Sequence, residues 1–320
     1  MVALPQTISP TIAAIDAAVE AAEERDFDHV VRGSSIGHKC ERHLWYRFRW
    51  AHQPEAFNGR KLRLFHTGHA EEARMIEWLD MAGVHVDAVD PETGDQWEVV
   101  ALDGHFKGHL DGIIHGLIEA PKTAHLLECK THNAKSFTQL VKIGVAASKP
   151  EHVAQMQVYM HLKGLTRAFY LAKHKDTDEL YGERIHYDAA HATALLAKAE
   201  RIKEAHDAPS RISDDPSYYL CKAFNCASYD VCHDGAFAIR NCRTCLHASP
   251  SACGFWHCSR HCRSLTLDDQ KAGCANHLYL PSLVPGEQID ADEKSETVTY
   301  RMRDGGPWVD GSHHNGRAAA

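Results

Sequence analysis

The chain predicts a mixed α/β fold: an α+β core in which helices flank a mixed sheet, followed by a small cysteine-rich module. Three observations carry that reading. Apolar runs of strand length alternate with segments of helical periodicity between residues 35 and 207, the pattern of a sheet covered by helices. Segments bearing Gly and Pro separate them. Beyond residue 215 the composition changes sharply, and nine of the 11 cysteines fall between 221 and 274.

The elements follow in order. Residues 9–25 are rich in Ala and Glu and read as a helix, with Ser9 as cap and Pro10 at its first position. Residues 35–51 and 69–83 are expected as helices. In the second, Ala70, Ala73, Met75, Ile76 and Leu79 recur at helical spacing. Strands are expected at 84–89, 96–102, 105–114 and 124–131, with Gly59 and Pro91-Glu92-Thr93-Gly94-Asp95 as breaks. A helix at 150–163, strands at 166–174 and 181–187, and a long helix at 189–207 follow. The chain divides into a main domain (1–235), a cysteine-rich module (236–285) and an acidic linker and tail (286–320). The run Glu287 to Glu296 reads as solvated linker.

Composition narrows the function classes. A chain of 320 residues buries a large core, and an apolar fraction of 44% is ordinary for a globular protein. No stretch approaches ~18 apolar residues, and no basic n-region precedes an apolar run. A cytoplasmic protein without membrane contact is expected. The net charge of −8 gives no global basic footprint. Basic residues do crowd between Arg32 and Arg63, where Trp45, Tyr46, Phe48 and Trp50 interleave with them. Cations suit phosphates and aromatic faces suit unstacked bases. The competing reading is a helix with aromatics in the core and arginines in solvent; Arg42, Arg47 and Arg49 are expected to reach DNA.

The chemistry concentrates between Gly108 and Lys130. Asp111 sits in one apolar run; seventeen residues later Glu128 and Lys130 flank Cys129 in a second. Residues i and i+2 of a strand share a face, so Glu128 and Lys130 project together and a hairpin brings Asp111 beside them. Two carboxylates and an ammonium can hold Mg²⁺ against a phosphodiester and charge a water.

This pattern resembles the PD-(D/E)xK nuclease superfamily, in its RecB-like and Cas4-like branch, as in phage-type exonucleases. Thr67-Gly68-His69-Ala70-Glu71-Glu72 looks like the branch's helical histidine motif, and Gln155-Met156-Gln157-Val158-Tyr159 like its Gln-x-x-x-Tyr motif. The strand pair after Lys175 and around Ile185 completes the order. The resemblance covers roughly residues 30 to 235. It implies a restriction-endonuclease-like fold over 1–235 and a metal site of His69, Asp111, Glu128 and the Cys129 carbonyl binding Mg²⁺ or Mn²⁺. Lys130, Gln155 and Tyr159 complete the implied catalytic set.

The cysteines give the second signal. In a reducing compartment, crowded cysteines point to metal rather than disulfides. Cys242-x₂-Cys245 with Cys258 and Cys274 matches a tetrahedral zinc site. Cys253, His257, His261, Cys262 and His277 are further candidates. Residues 241–285, with Trp256 and His277-Leu-Tyr-Leu-Pro281 as landmarks, resemble a small module appended to phage proteins. The same nuclease branch implies a [4Fe–4S] cluster held by one early and three late cysteines. Here these are Cys40, Cys221, Cys226 and Cys232. The gap of four residues after Cys221 departs from the branch's usual two, and zinc on these thiolates, or on three of them plus His233, is the competing ligand set.

The expected function is a metal-dependent DNA nuclease, an exonuclease resecting ends in recombination or repair. Its partners are DNA and a single-strand annealing or other recombination protein. A structure-specific or restriction-like endonuclease, and a non-catalytic zinc- or cluster-bearing DNA-binding module, are the alternatives.

Overall fold

Pro10 opens the first helix, α1 (Pro10–Ala22), in the computed structural model, which describes residues 9–311. Its Ser9 cap makes no side-chain bond, so proline at the first position sets the start. A short strand β1 (Val31–Arg32) precedes α2 (Glu41–Phe48). Leu44, Trp45, Tyr46 and Phe48 of α2 are buried. The third helix, α3 (Gly59–Met81), begins ten residues before the expected start at 69. Gly59, expected as a break, is its first residue. The Asn58 side chain caps it by accepting from the Lys61 amide at 2.9 Å. The Gly59 amide donates to Glu20 of α1 at 2.7 Å.

Strands β2 (His85–Asp87), β3 (Glu98–Ala101), β4 (Phe106–His109), β5 (Gly112–His115) and β6 (His125–His132) follow. The strand expected at 105–114 is two strands. The chain breaks at Leu110-Asp111, and β4 and β5 belong to different sheets. Helix α4 (Ala134–Ser148), absent from the sequence reading, is capped by Asn133 and kinked at Gly144. Helix α5 (Pro150–Lys163), β7 (Arg167–His174), β8 (Leu180–His186) and α6 (Ala189–Glu204) match the expected spans closely.

The main sheet runs β2-β5-β6-β7-β8. It is mixed: β6 and β7 pair in parallel and the other neighbours antiparallel. The parallel pair needs a crossover, which α4 and α5 supply. Met75 of α3 packs with Leu127, Cys129, Phe169 and Leu171 on one face, while α4 and α5 cover the other. A smaller sheet, β1-β4-β3, adjoins.

The cysteine-rich segment forms a three-stranded sheet of β9 (Ala248–Pro250), β10 (Trp256–Cys258) and β11 (Arg263–Leu265), then α7 (Leu267–Ala272). The expected acidic linker is instead an antiparallel meander of β12 (Gly286–Asp292), β13 (Thr297–Met302) and β14 (Pro307–Gly311). Alternation explains it: Val298 and Tyr300 of β13 are buried while their neighbours face out. The tail beyond 311 lies outside the described residues. One apolar cluster includes Trp45 and Phe48 of α2, Trp256 and Leu265 of the cysteine-rich segment, and Tyr300 of the meander.

Two buried arginines sit in that cluster. Arg243 lies over Trp50 at 3.8 Å and Trp256 at 4.7 Å, and donates to the carbonyls of His29 and Phe48. Arg49 lies over Trp256 at 5.1 Å and donates to the Ala205 carbonyl at 2.8 Å. Ring faces and carbonyls replace water around both cations. Among the described residues no helix is long and apolar enough to cross a membrane.

Candidate active site

Strand β6 is the platform. Alternation puts Leu127 and Cys129 against α3, so the Cys129 thiol is a core group. Glu128, Lys130 and His132 share the opposite face. The register Gly112↔Leu127 sets Asp111, one residue before β5, alongside Glu128. Asp111 Oδ2 accepts from the Cys129 amide at 2.6 Å. The break between β4 and β5 thus delivers Asp111 to the site.

Glu128 is 0% exposed. Its Oε2 accepts from Gln155 Nε2 of α5 at 3.0 Å. Its Oε1 faces Lys130 as an ion pair but makes no hydrogen bond of regular geometry. Burial pushes the Glu128 carboxyl upward; Lys130 opposes this, and Asp111 and Glu72 add to it. Burial also works against the Lys130 charge, but Glu128 and Asp111 outweigh it and push its pKa up. The ammonium therefore persists.

A third carboxylate joins them. Glu72 of α3 is pushed up to about 7 by burial and Asp111, against Lys130. The sequence shows Glu72 only as the last residue of the histidine motif, with no role of its own; the missing fact was that α3 packs against β6. Burial raises the Asp111 carboxyl, against Lys130, the Cys129 amide and the exposed His69. Tyr159 lies in the floor, fully buried. A Cβ at either Gly33 or Gly108 would strike its ring, so both glycines are demanded by close approach. Its hydroxyl meets the His109 backbone.

Beyond Lys130 the same face carries a hydrogen-bonded chain. Tyr170, opposite Glu128 in the β6–β7 register, places its hydroxyl 2.8 Å from His152 Nδ1 and 2.9 Å from His132 Nε2. His132 Nδ1 lies 3.0 Å from the Ser136 hydroxyl, which also takes Lys149 at 2.5 Å. Burial, with Lys149 and Lys130, lowers His132 to about 4; burial and Lys130 lower His152 to about 3. Both histidines are neutral when folded and titrate near 6.5 when unfolded, so the unfolded chain binds more protons between those values. Their contribution to stability is present above pH 6.5 and is lost as pH falls towards 4. Thermal unfolding followed across that window should show a midpoint falling with acid. The His132→Gln/His152→Gln double variant should flatten that slope.

Hard oxygen donors with one imidazole suit Mg²⁺ or Mn²⁺, and three mutually repelling carboxylates gain from a cation. Among the described residues, however, no three Asp, Glu, His or Cys side chains are gathered closely enough to hold an ion. Lys130 takes one Glu128 oxygen and the Cys129 amide one Asp111 oxygen.

Both cysteine sets converge. Cys242, Cys245, Cys258 and Cys274 line one cavity with His261 and His277. Cys253 and Cys262 are exposed and His257 is not in its lining. Burial and then the other three thiols push Cys242 up to about 12. Cys40, Cys221, Cys226 and Cys232 line a second cleft with His43 and His233. Cys226 Sγ lies 3.6 Å from His43 Nδ1, and burial, with Cys40 and Cys232, raises its thiol to about 11. A cation is what would let such thiols ionise together.

The three arginines expected at DNA are engaged elsewhere. Arg49 is 0% exposed. Arg47 pairs with Asp28 at 2.8 Å. Arg42 reaches the Tyr46 hydroxyl at 2.8 Å and the Pro209 carbonyl at 2.9 Å, beside the Cys40 cleft. The aromatics are in the core, as the competing reading has it, but the arginines are not in solvent: Arg49 is buried and Arg42 and Arg47 are half-buried in these contacts.

No protein-family model matches the sequence, and no curated protein matches it. Among solved structures, the chain is similar to an alkaline exonuclease from Laribacter hongkongensis, at 17% identity and a TM-score of 0.40. That match covers 59% of this chain and 90% of that one. It is also similar to the protein SSO0001, at 14% identity and a TM-score of 0.40, covering 69% of this chain and 95% of that one.

Proposed function

We propose that this protein is a divalent-metal-dependent deoxyribonuclease, an exonuclease working from DNA ends in recombination or repair. One observation carries the reading: Asp111, Glu128 and Glu72 lie within electrostatic reach of one another and of Lys130, whose charge they favour, where β5, β6 and α3 meet. Asp111, Glu128, Glu72, His69 and the Cys129 carbonyl would hold one or two Mg²⁺ or Mn²⁺. Such an ion, when bound, polarises the phosphodiester and acidifies a water. Lys130 would orient that water and offset charge growing on the phosphate. Gln155 holds Glu128 in place, and Tyr159 forms the floor beneath. Zinc at Cys242, Cys245, Cys258 and Cys274, and a [4Fe–4S] cluster or zinc at Cys40, Cys221, Cys226 and Cys232, would be structural. The setting is the cytoplasm, and the resected strand would pass to a single-strand annealing or other recombination protein.

The test uses end-labelled linear and covalently closed circular DNA with Mg²⁺, Mn²⁺ or EDTA. Linear DNA should shorten from its termini, the circle should survive, and EDTA should stop the reaction. Efficient linearisation of the circle would replace the exonuclease by an endonuclease. Binding without cutting in either metal would leave a non-catalytic DNA-binding module.

A further inference from the structure

Two clefts join beside the candidate site. The first, of about 520 Å³, runs from Gln155 and Tyr159 past Ser34 and Arg32 to His29, Val30 and Lys107. The second, of about 680 Å³, starts at the same His29, Val30 and Lys107 and continues to Phe255 and Leu267 of the cysteine-rich segment. His29, Val30 and Lys107 line both clefts, so the two lie side by side between Gln155, the hydrogen-bond partner of Glu128, and that segment.

Its far end is apolar and open. Phe255 is 56% exposed, Leu267 42% and Val100 48%. No aromatic ring among the described residues stacks on Phe255. The turn that presents it is nevertheless fixed. Ser251 N–H donates to the Phe255 carbonyl at 2.8 Å, and the Ser251 carbonyl meets His105 Nε2 at 2.7 Å. Gly254 packs backbone to backbone on Gly104, where a Cβ would come within 2.9 Å of the Gly254 nitrogen. An exposed ring on an immobilised turn is pre-organised for a flat apolar partner.

Charge along the path is mixed. Asp26 is paired with Lys271 at 2.8 Å and Asp103 with Lys203 at 3.2 Å, while Glu24 at the rim of the first cleft has no ion pair among the described residues; Arg32 and Lys107 are the cations that face a phosphate there. Arg32 pairs with Asp28, a mostly buried carboxylate that Arg47 also engages, whereas Lys107 pairs with Glu98 in a half-exposed pair weak enough for a phosphate to compete.

We infer that this path binds an unpaired strand of DNA, with Phe255 stacking on a base and Lys107 against the backbone. It rests on the nuclease reading for the nature of the ligand. A base inside a duplex has both faces covered by its neighbours, so Phe255 can lie only on an unpaired base or on the free face of a terminal pair, and the blunt duplex in the test separates the two. Aromatic residues along a cationic groove are the usual means of holding a single strand without reading its sequence. The cysteine-rich segment thereby acquires a role, extending the groove away from the carboxylates.

The test is fluorescence anisotropy in EDTA, where nothing is cut, with a short and a long oligothymidylate and a blunt duplex. Phe255→Ala should weaken the long oligonucleotide roughly five- to a hundred-fold. The short one, the blunt duplex and the thermal midpoint should stay at wild-type values, and Phe255→Tyr should retain binding. Unchanged affinity of Phe255→Ala for the long strand overturns the inference. Equal losses on short and long strands do so too, because they mark a general defect. A wild type that cuts DNA while Phe255→Ala binds normally removes the groove and leaves the nuclease. A wild type that holds the long strand through Phe255 and never cuts does the reverse.

Discussion

Asp111→Asn, Glu128→Gln and Lys130→Ala are each expected to lose two decades or more of metal-dependent cleavage while remaining folded. The two amide variants keep the local geometry, since an amide oxygen can still accept from the Cys129 N–H or from Gln155. What they remove is charge, and charge aimed at a developing transition state is worth that much in a site sheltered from water. Glu128→Gln should not lower the thermal midpoint, because it relieves a fully buried carboxylate. Lys130→Ala removes the one cation among three carboxylates. Glu128 then takes up a proton, and its rate should stay low at every pH. His69→Ala should cost less, because His69 is exposed. Single-turnover rates on linear DNA in Mg²⁺ and Mn²⁺ measure all four. If the three central variants cut at the wild-type rate, the chemistry is not at this site.

What the sequence made legible follows from how local each signal is. The i, i+2 relation of Glu128 and Lys130 needs only a strand, and Gln155 and Tyr159 need only a helix; both elements lie where periodicity put them. Glu72 needed the packing of α3 across the sheet, which no local pattern encodes. Tyr170, His132 and His152 come from three elements and meet only through the β6–β7 register and the packing of α5 on those strands. Helix α4 escaped because its kink at Gly144 breaks the apolar period. The Arg and aromatic crowd of α2 misled in a different way. Its composition suits DNA, but Arg243, 194 residues beyond Arg49, closes a box of rings that takes the cations inside. Charge counting does not distinguish a solvated arginine from one solvated by tryptophan.

Cys226→Ser is expected to have the largest effect on stability of any single change. Cys40 immediately precedes α2, and Cys221, Cys226 and Cys232 follow α6, so a metal on the four closes a loop spanning residues 40 to 221. Packing already brings the ends together: Arg42 donates to the Pro209 carbonyl at 2.9 Å and Arg211 to the Cys232 carbonyl at 2.5 Å. A metal held there would convert that proximity into a cross-link, and metal binding of this kind is folding free energy on the order of 10 kcal/mol. Without it, four thiols, two buried and two half-buried, contribute only as small apolar groups. Cys226→Ser should therefore release its metal and lower the thermal midpoint by more than about 10 °C. If the group is a [4Fe–4S] cluster, anaerobically purified wild type is brown, with iron and sulfide in near-equal amounts, and the variant is colourless. Cys245→Ser should release zinc from the other set and leave iron untouched. Arg243 lies over both Trp50 and Trp256, and Trp256 shares a core with Trp45 and Phe48, so this loss should lower the same unfolding transition rather than uncover a separate one. Metal analysis and calorimetry on both variants decide it. Zinc at both sites rejects the cluster and keeps the staple. No metal at Cys40, Cys221, Cys226 and Cys232, with an unchanged midpoint for Cys226→Ser, removes the staple itself and leaves α2 and α6 held by their packing alone.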